Sequence, residues 1–287
     1  MLEDLVNVVL PYDKLDSFIF TTTDPFILTV EWEGIKYEFL IRMKANSSHL
    51  LIMGSGAMNL YEERIKPPYF QRHSWMKSLN DSVIYYNDPT LYLGEHLLVG
   101  WGQGTKDRFA IKEIGEILHK LILKSKIPPK NTIFYGSSAG GFMSLILAGY
   151  IKDSIALVNS PQTCLSKWLQ TPVKQVFELS YQTTSIDEVM KLFPERINVL
   201  KFYQSIKYVP KIYYLQNAYC EYDIKGHVIP FIDGLQKMGS GCVVNPVKLD
   251  LYYIVQPGPV IRPELGGHGA LGTEETIKYI NKVKTEF

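Results

Sequence analysis

A serine stands at the centre of Gly136-Ser137-Ser138-Ala139-Gly140, a G-x-S-x-G arrangement extended by Gly141. A β-rich run, 132–135, leads into it and an apolar small-residue stretch, 142–148, leads out. Strand, sharp turn and helix in that order form the setting in which a serine hydroxyl is exposed as a nucleophile. The turn holds the serine in a strained backbone conformation, so its neighbours must lack bulk, and Gly136, Ala139 and Gly140 do. The helix that follows aims free N–H groups and a positive dipole end at the reaction centre. A tight glycine turn packing a helix on a sheet is the competing explanation. A phosphate loop of the GxxxxGK[ST] kind is not, because no lysine follows these glycines.

Such a serine needs a base to take its proton and an acid to orient the base. In elbow-type sites the chain order is serine, acid, histidine. Of six histidines only His227 and His268 follow Ser138. His268 lies in Leu265-Gly266-Gly267-His268-Gly269, between the last expected strand and the last expected helix, where a loop can swing an imidazole over the serine. The acid should follow the preceding strand, in Asn217-Ala218-Tyr219-Cys220-Glu221-Tyr222-Asp223. Asp223 is the choice and Glu221 the rival, since one residue of register decides which carboxylate faces the imidazole. His227, four residues past Asp223, is placed to contact substrate, to buttress Asp223, or to sit on the surface. An oxyanion would be held by the N–H of Ala139 and by the loop Gly54-Ser55-Gly56-Ala57, unless that loop is an ordinary tight turn.

These residues require a scaffold, and the remaining sequence reads as one. Segments 17–22, 26–32 and 35–43 read as antiparallel strands at the N-terminus, within 1–48. From residue 49 onward short apolar strands (49–53, 82–86, 132–135, 154–158, 211–216 and 248–255) alternate with helical stretches at 109–125, 139–150 and 273–283. That alternation implies right-handed crossovers and an α/β fold, a mostly parallel sheet with helices on both faces. The mostly helical interval 164–208 reads as a cap inserted between two strands, and 1–287 as one domain.

Composition narrows the function classes. With 287 residues and 46% apolar content the chain can bury a full core. Thirty basic against 29 acidic residues leave a net charge of +1, without the basic excess of a nucleic-acid binder. Cys164, Cys220 and Cys242 form no CxxC pair, so a zinc ribbon is not expected, nor any metal site, and they read as reduced thiols. The acidic start of the chain is unlike a signal peptide, and no uninterrupted apolar stretch is long enough to span a membrane. A cytoplasmic protein is expected.

Taken together, the elbow 136–141, the strand end Asn159-Ser160-Pro161-Gln162, the spacing of Asp223 and His227, and Gly266-Gly267-His268 resemble the α/β-hydrolase-type O-acetyltransferases of bacterial capsule and surface-glycan synthesis. The resemblance covers the chain from about residue 49 onward. It implies an α/β-hydrolase fold, a triad of Ser138, Asp223 and His268, and acetyl transfer from acetyl-CoA as co-substrate to a sugar hydroxyl. It further implies a glycan acceptor and association with glycan-synthesis enzymes. Relatives that act as carbohydrate esterases, or as silent subunits of glycan-assembly complexes, leave those alternatives open. Two features suit a sugar. Trp101, in the glycine-rich Gly100-Trp101-Gly102-Gln103-Gly104, would stack on a ring if it is not a packing anchor. Asn159 and Gln162 would offer amides to hydroxyls if their segment is more than a turn.

Overall fold

The computed structural model describes residues 2, 4–58 and 66–287. Nine strands form one sheet: β1 (Asn7–Pro11), β2 (Phe26–Trp32), β3 (Ile35–Arg42), β4 (Leu50–Gly54), β5 (Ser82–Tyr86), β6 (Thr132–Ser137), β7 (Ile155–Asn159), β9 (Lys211–Asn217) and β11 (Val247–Tyr252), in the order β1-β2-β3-β5-β4-β6-β7-β9-β11. The short β8 (Tyr208–Val209) and β10 (Val243–Val244) pair separately. From β5 to β11 every ladder is parallel, and β2–β3 and β3–β5 are antiparallel.

Parallel strands in the middle of a covered sheet are apolar on both faces, and here their residues divide by parity. Leu50, Ile52, Phe134, Val158, Ile212 and Tyr214 face a core that holds α1 (Ala110–Ser125) and α2 (Ala139–Tyr150). Leu51, Met53, Ile133, Tyr135, Leu157 and Leu215 face a second, smaller core closed by Ile280 and Val283 of the C-terminal helix. Helix α1 presents Ile111, Ile114, Leu118, Leu121 and Ile122 at 3–4-residue spacing, which is why it lies flat on the sheet.

The N-terminal expectation needs correction. Residues 17–22 form no strand. The first strand is Asn7–Pro11, and it runs parallel to β2 across a 3-10 crossover at Tyr12–Ser17. The short β-branched and apolar run Val8-Val9-Leu10 is the local signal for it. Segment 17–22 is extended but mostly exposed, with Phe18 and Phe20 only partly covered.

Between β7 and β8 the chain makes an excursion through α3 (Gln170–Tyr181), α4 (Ile186–Leu192), α5 (Pro194–Ile197) and α6 (Val199–Ile206). Its two ends meet: Cys164 bridges Asn198, and Val199 N–H donates to the Thr163 carbonyl at 3.0 Å. After β9 come α7 (Glu221–Asp223), a π-helical turn (Ile224–Val228) and α8 (Ile229–Gln236), and α9 (Thr273–Glu286) ends the chain.

Candidate active site

The strand–turn–helix at β6–α2 brings Ser138 to the carboxyl edge of the sheet with φ 53° and ψ −120°. A non-glycine residue rarely adopts that conformation, and it persists here because its surroundings fix it. Ser138 N–H donates to the Asn159 carbonyl at 3.2 Å. A Cβ on Gly136 would lie 2.3 Å from the Gly140 backbone, and one on Gly140 would lie 2.6 Å from the Gly54 carbonyl oxygen. Glycine at both positions lets the turn close and lets α2 start against the end of β4.

His268 reaches this serine from the loop after β11. Its Nε2 is 2.9 Å from Ser138 Oγ, and its Nδ1 is 2.7 Å from Asp223 Oδ2. Asn217 steers the loop: its side chain donates to the Ile254 carbonyl at 2.8 Å and accepts from Ile254 N–H at 3.0 Å. Those bonds continue the β9 edge after β11 has ended at Tyr252, short of the expected 255.

Asp223 is fully buried, whereas Glu221 is exposed and paired with Lys225. Two residues apart in α7, the carboxylates point to opposite sides, and the aspartate is the one beside the imidazole. Burial raises the Asp223 pKa, but the His268 hydrogen bond and charge, the His227 ring and the Gln216 amide at 3.2 Å outweigh it, leaving the carboxyl below its ordinary value. Beside it, burial and then the Asp223 charge push the Cys220 thiol up to about 12, so this cysteine stays a neutral thiol.

The expected oxyanion loop is close to the serine but not wholly available. Gly56 N–H donates to Gln71 Oε1 at 2.9 Å, and Gly54 is the last residue of the β4 ladder. The Ser55 hydroxyl is occupied by the Tyr69 carbonyl and the Gln71 N–H. Ala139 heads α2, so its N–H is one of the helix's four N–H groups without an intrahelical partner.

Three expectations about substrate contacts are corrected. Trp101 is 1% exposed and stacks on nothing that enters from solvent; its indole N–H donates to Gln162 Oε1 at 3.1 Å. The loop around it is locked. Asp88 accepts from Gly102 N–H, Thr90 accepts from Gly104 N–H, and Gln103 bonds Trp101, Arg196 and Tyr181. Asn159 is fully buried, its amide N–H donating to the Tyr252 hydroxyl and its oxygen accepting from Leu271 N–H, so it fastens the histidine loop to the elbow. His227 is also fully buried, with Nδ1 accepting from Thr163 N–H at 3.2 Å. Gln162 does reach the site, with its Nε2 2.8 Å from Ser138 Oγ.

Other residues at the site escaped the sequence reading. Trp168, from the helical excursion, packs on His268 with ring centroids 4.7 Å apart, and no local motif marks it. Arg72 donates to Ser137 Oγ at 2.6 Å and lies over Trp75 and Tyr135. Gln71 and Arg72 meet the site at Gly56, just past β4, and at Ser137, the end of β6, 15 or more residues away in sequence.

No family model matches the sequence, and no curated protein matches it either. Solved structures do match. The capsule O-acetyltransferase of Neisseria meningitidis serogroup A superposes with TM-score 0.60 and 18% identity, over 88% of this chain and 94% of that one. A histidine mutant of that enzyme in complex with CoA gives TM-score 0.60 and 16% identity, over 93% and 99%. The Glycosylation Associate Protein complex of Streptococcus agalactiae gives 0.59 and 14%, over 88% of this chain and 45% of that one. An S-formylglutathione hydrolase from Agrobacterium tumefaciens gives 0.53 and 11%, over 92% and 97%.

Proposed function

We propose that the chain is a serine-dependent acyltransferase that moves an acetyl group from acetyl-CoA to a sugar hydroxyl of a bacterial capsule or surface glycan. The observation that carries this reading is the unbroken hydrogen-bonded line from buried Asp223 through His268 to Ser138. In it, His268 Nε2 takes the proton from Ser138 Oγ as Oγ attacks the thioester carbonyl. Asp223 holds the imidazole and stabilises the imidazolium that forms. The N–H groups of Ala139 and Ser55 hold the oxyanion. Collapse breaks the carbon–sulfur bond, the CoA sulfur takes the proton from His268, and an acetyl ester remains on Ser138. A sugar hydroxyl then gives its proton to His268, attacks the ester, and leaves acetylated while the proton returns to Oγ.

Acetyl-CoA and glycan are read from the capsule O-acetyltransferase and its CoA complex, together with the sequence resemblance. We read 1–287 as one unit with 164–208 as its cap, and Trp168 as the cap's contact with the base. Among the described residues no carboxylate other than Asp223 touches His268, which favours one base serving both half-reactions. Among the described residues no helix is long and apolar enough to cross a membrane.

Transfer must outcompete hydrolysis by water at roughly 55 M, which an oriented acceptor achieves through effective molarities of about 10⁵ M or more. The test is CoA release from acetyl-CoA with and without capsular oligosaccharides. Slow release alone, acceleration by the matching glycan and acetyl ester on that glycan are expected, all lost in Ser138→Ala. Rapid deacetylation of acetylated glycans with no turnover of acetyl-CoA would replace the transferase by an esterase. Absence of Ser138 labelling by a fluorophosphonate would reject serine chemistry altogether.

A further inference from the structure

We infer that the free edge of β11 is a pairing surface for a second copy of this chain, joined antiparallel about a two-fold axis at Leu249. β11 ends the sheet, and among the described residues β9 is the one strand it pairs with. Ile212 N–H donates to the Pro246 carbonyl at 3.1 Å and Ala218 N–H to the Tyr252 carbonyl at 2.7 Å, so the even-numbered residues here turn their backbone groups toward β9. Backbone direction alternates along a strand. Val247, Leu249 and Leu251 therefore turn their N–H and C=O groups outward, where no strand among the described residues meets them. A bare edge of this kind is a template for another strand. The opposite edge of the sheet, β1, is blunted by Pro11.

Side chains follow the same parity. Leu249 is 39% exposed, Leu251 53% and Tyr253 68%, all on one face. Lys248 and Asp250 lie on the other face, bridged to Glu286 of α9 at 2.8 Å and to Lys282 of α9 at 3.4 Å. Past the strand Ile254, Val255, Val260 and Ile261 prolong the exposed apolar surface. The charges on the strand locate the axis. With the two-fold at Leu249, that residue faces its own copy through its outward backbone groups, and Val247 faces the partner's Leu251. Lys248 then faces the partner's Asp250 in a non-hydrogen-bonded pair, where side chains approach most closely. Glu286, Lys248, the partner's Asp250 and the partner's Lys282 form a row that alternates in sign. An axis at Asp250 would set that carboxylate against itself, and one at Leu251 would leave Lys248 opposite Ile254. Charge complementarity thus selects the Leu249 register, and it selects a second copy because one patch supplies both halves of every pair. Tyr252 accepts from Asn159, and Ile254 is held by Asn217, so pairing braces the strand from which the His268 loop departs.

The experiment is sedimentation velocity of the full chain from about 1 to 100 μM, a range in which an interface of standard size passes from monomer to dimer. Wild type should dimerise. Lys248→Asp and Asp250→Lys each bring like charges together twice per dimer and should raise its dissociation constant by about 10- to 100-fold. Mixed in equal amounts, the two variants should form a heterodimer of near wild-type affinity, because every charge across the mixed pair again faces its opposite. The bridges to Glu286 and Lys282 stay broken in that mixture, so the recovery reports the contact between copies. Leu249→Pro removes the outward N–H at the axis and leaves the β9 ladder, whose bonds use the even-numbered residues; it should be monomeric with its melting temperature nearly unchanged. If the proline variant does not fold, the mixing experiment carries the test alone. A wild type that stays monomeric throughout, a dimer that a folded Leu249→Pro leaves intact, or charge variants that fail to recover on mixing would overturn the inference.

Discussion

His227 should make this protein acid-sensitive in a defined window. The ring is fully buried, its Nδ1 accepts from Thr163 N–H, and its Nε2 has no hydrogen-bond partner among the described residues. Burial lowers its pKa to about 4, partly opposed by the Asp223 charge and reinforced by His268, against an ordinary 6.5. The folded value is depressed, so at pH 7 both states are neutral and the group contributes nothing. As pH falls below 6.5 the unfolded chain binds a proton that the folded chain refuses until about 4. A 2.5-unit gap at about 1.36 kcal/mol per unit removes about 3 kcal/mol of stability by pH 4, and about 2 kcal/mol of it by pH 5. Asp223, also depressed, has the same sign, but its loss begins only below an unfolded carboxyl's value of about 3.9, outside the window. The assay is urea unfolding of wild type and His227→Asn at pH 7.5 and pH 5, the asparagine oxygen replacing Nδ1 as acceptor for Thr163. Wild type should be the more stable at pH 7.5 and lose about 2 kcal/mol relative to the variant at pH 5. Other titrating groups are common to both proteins and cancel. A wild-type-minus-variant difference that stays constant with pH would refute the burial argument.

Ser138→Ala and His268→Ala should each lower kcat for acyl transfer by about 10⁴–10⁶ with melting temperatures intact, because members of such a unit fail together. Asp223→Asn should lose up to about 10⁴, while Glu221→Gln, on an exposed residue paired with Lys225, should stay within about twofold; the reverse ranking sinks the acid assignment. Gly140→Ala sets a Cβ 2.6 Å from the Gly54 oxygen and should cost about 1–3 kcal/mol in denaturant unfolding along with catalytic rate, since it parts the two sides of the oxyanion site. Trp168→Ala removes the ring packed on His268 and should cost about 3 kcal/mol or more in stability, read by urea unfolding; a neutral effect would mean the cap does not brace the base.

The parts of the site legible in the sequence are those whose cause is local. The strand–turn–helix around Ser138 is legible because an apolar strand, small neighbours and a small-residue helix must be contiguous for such a turn to form, and contiguity is what a sequence records. Segments β5 and α2 match their expected bounds for the same reason, since hydrophobic period and punctuating residues lie within the segment itself. His268 and Asp223 followed from chain order and from loops that end strands. Whether Asp223 or Glu221 lies beside the imidazole depends on about half a turn of helix, which only the structure supplies.

Tertiary structure decided everything that depends on what a residue is buried against. Gly100-Trp101-Gly102-Gln103-Gly104 has the composition of a flexible loop, yet Asp88 and Thr90, a dozen residues upstream, and Gln162, about sixty downstream, fix it in the interior. Asn159 and His227 have side chains suited to a ligand, but burial commits both to internal partners, Asn159 to Tyr252 and Leu271 and His227 to Thr163. Strand β1 outcompeted 17–22 because pairing parallel to β2 was open to it, a preference no single segment carries. Residue type and spacing thus determined which groups could react, whereas the three-dimensional packing determined which of them face the serine.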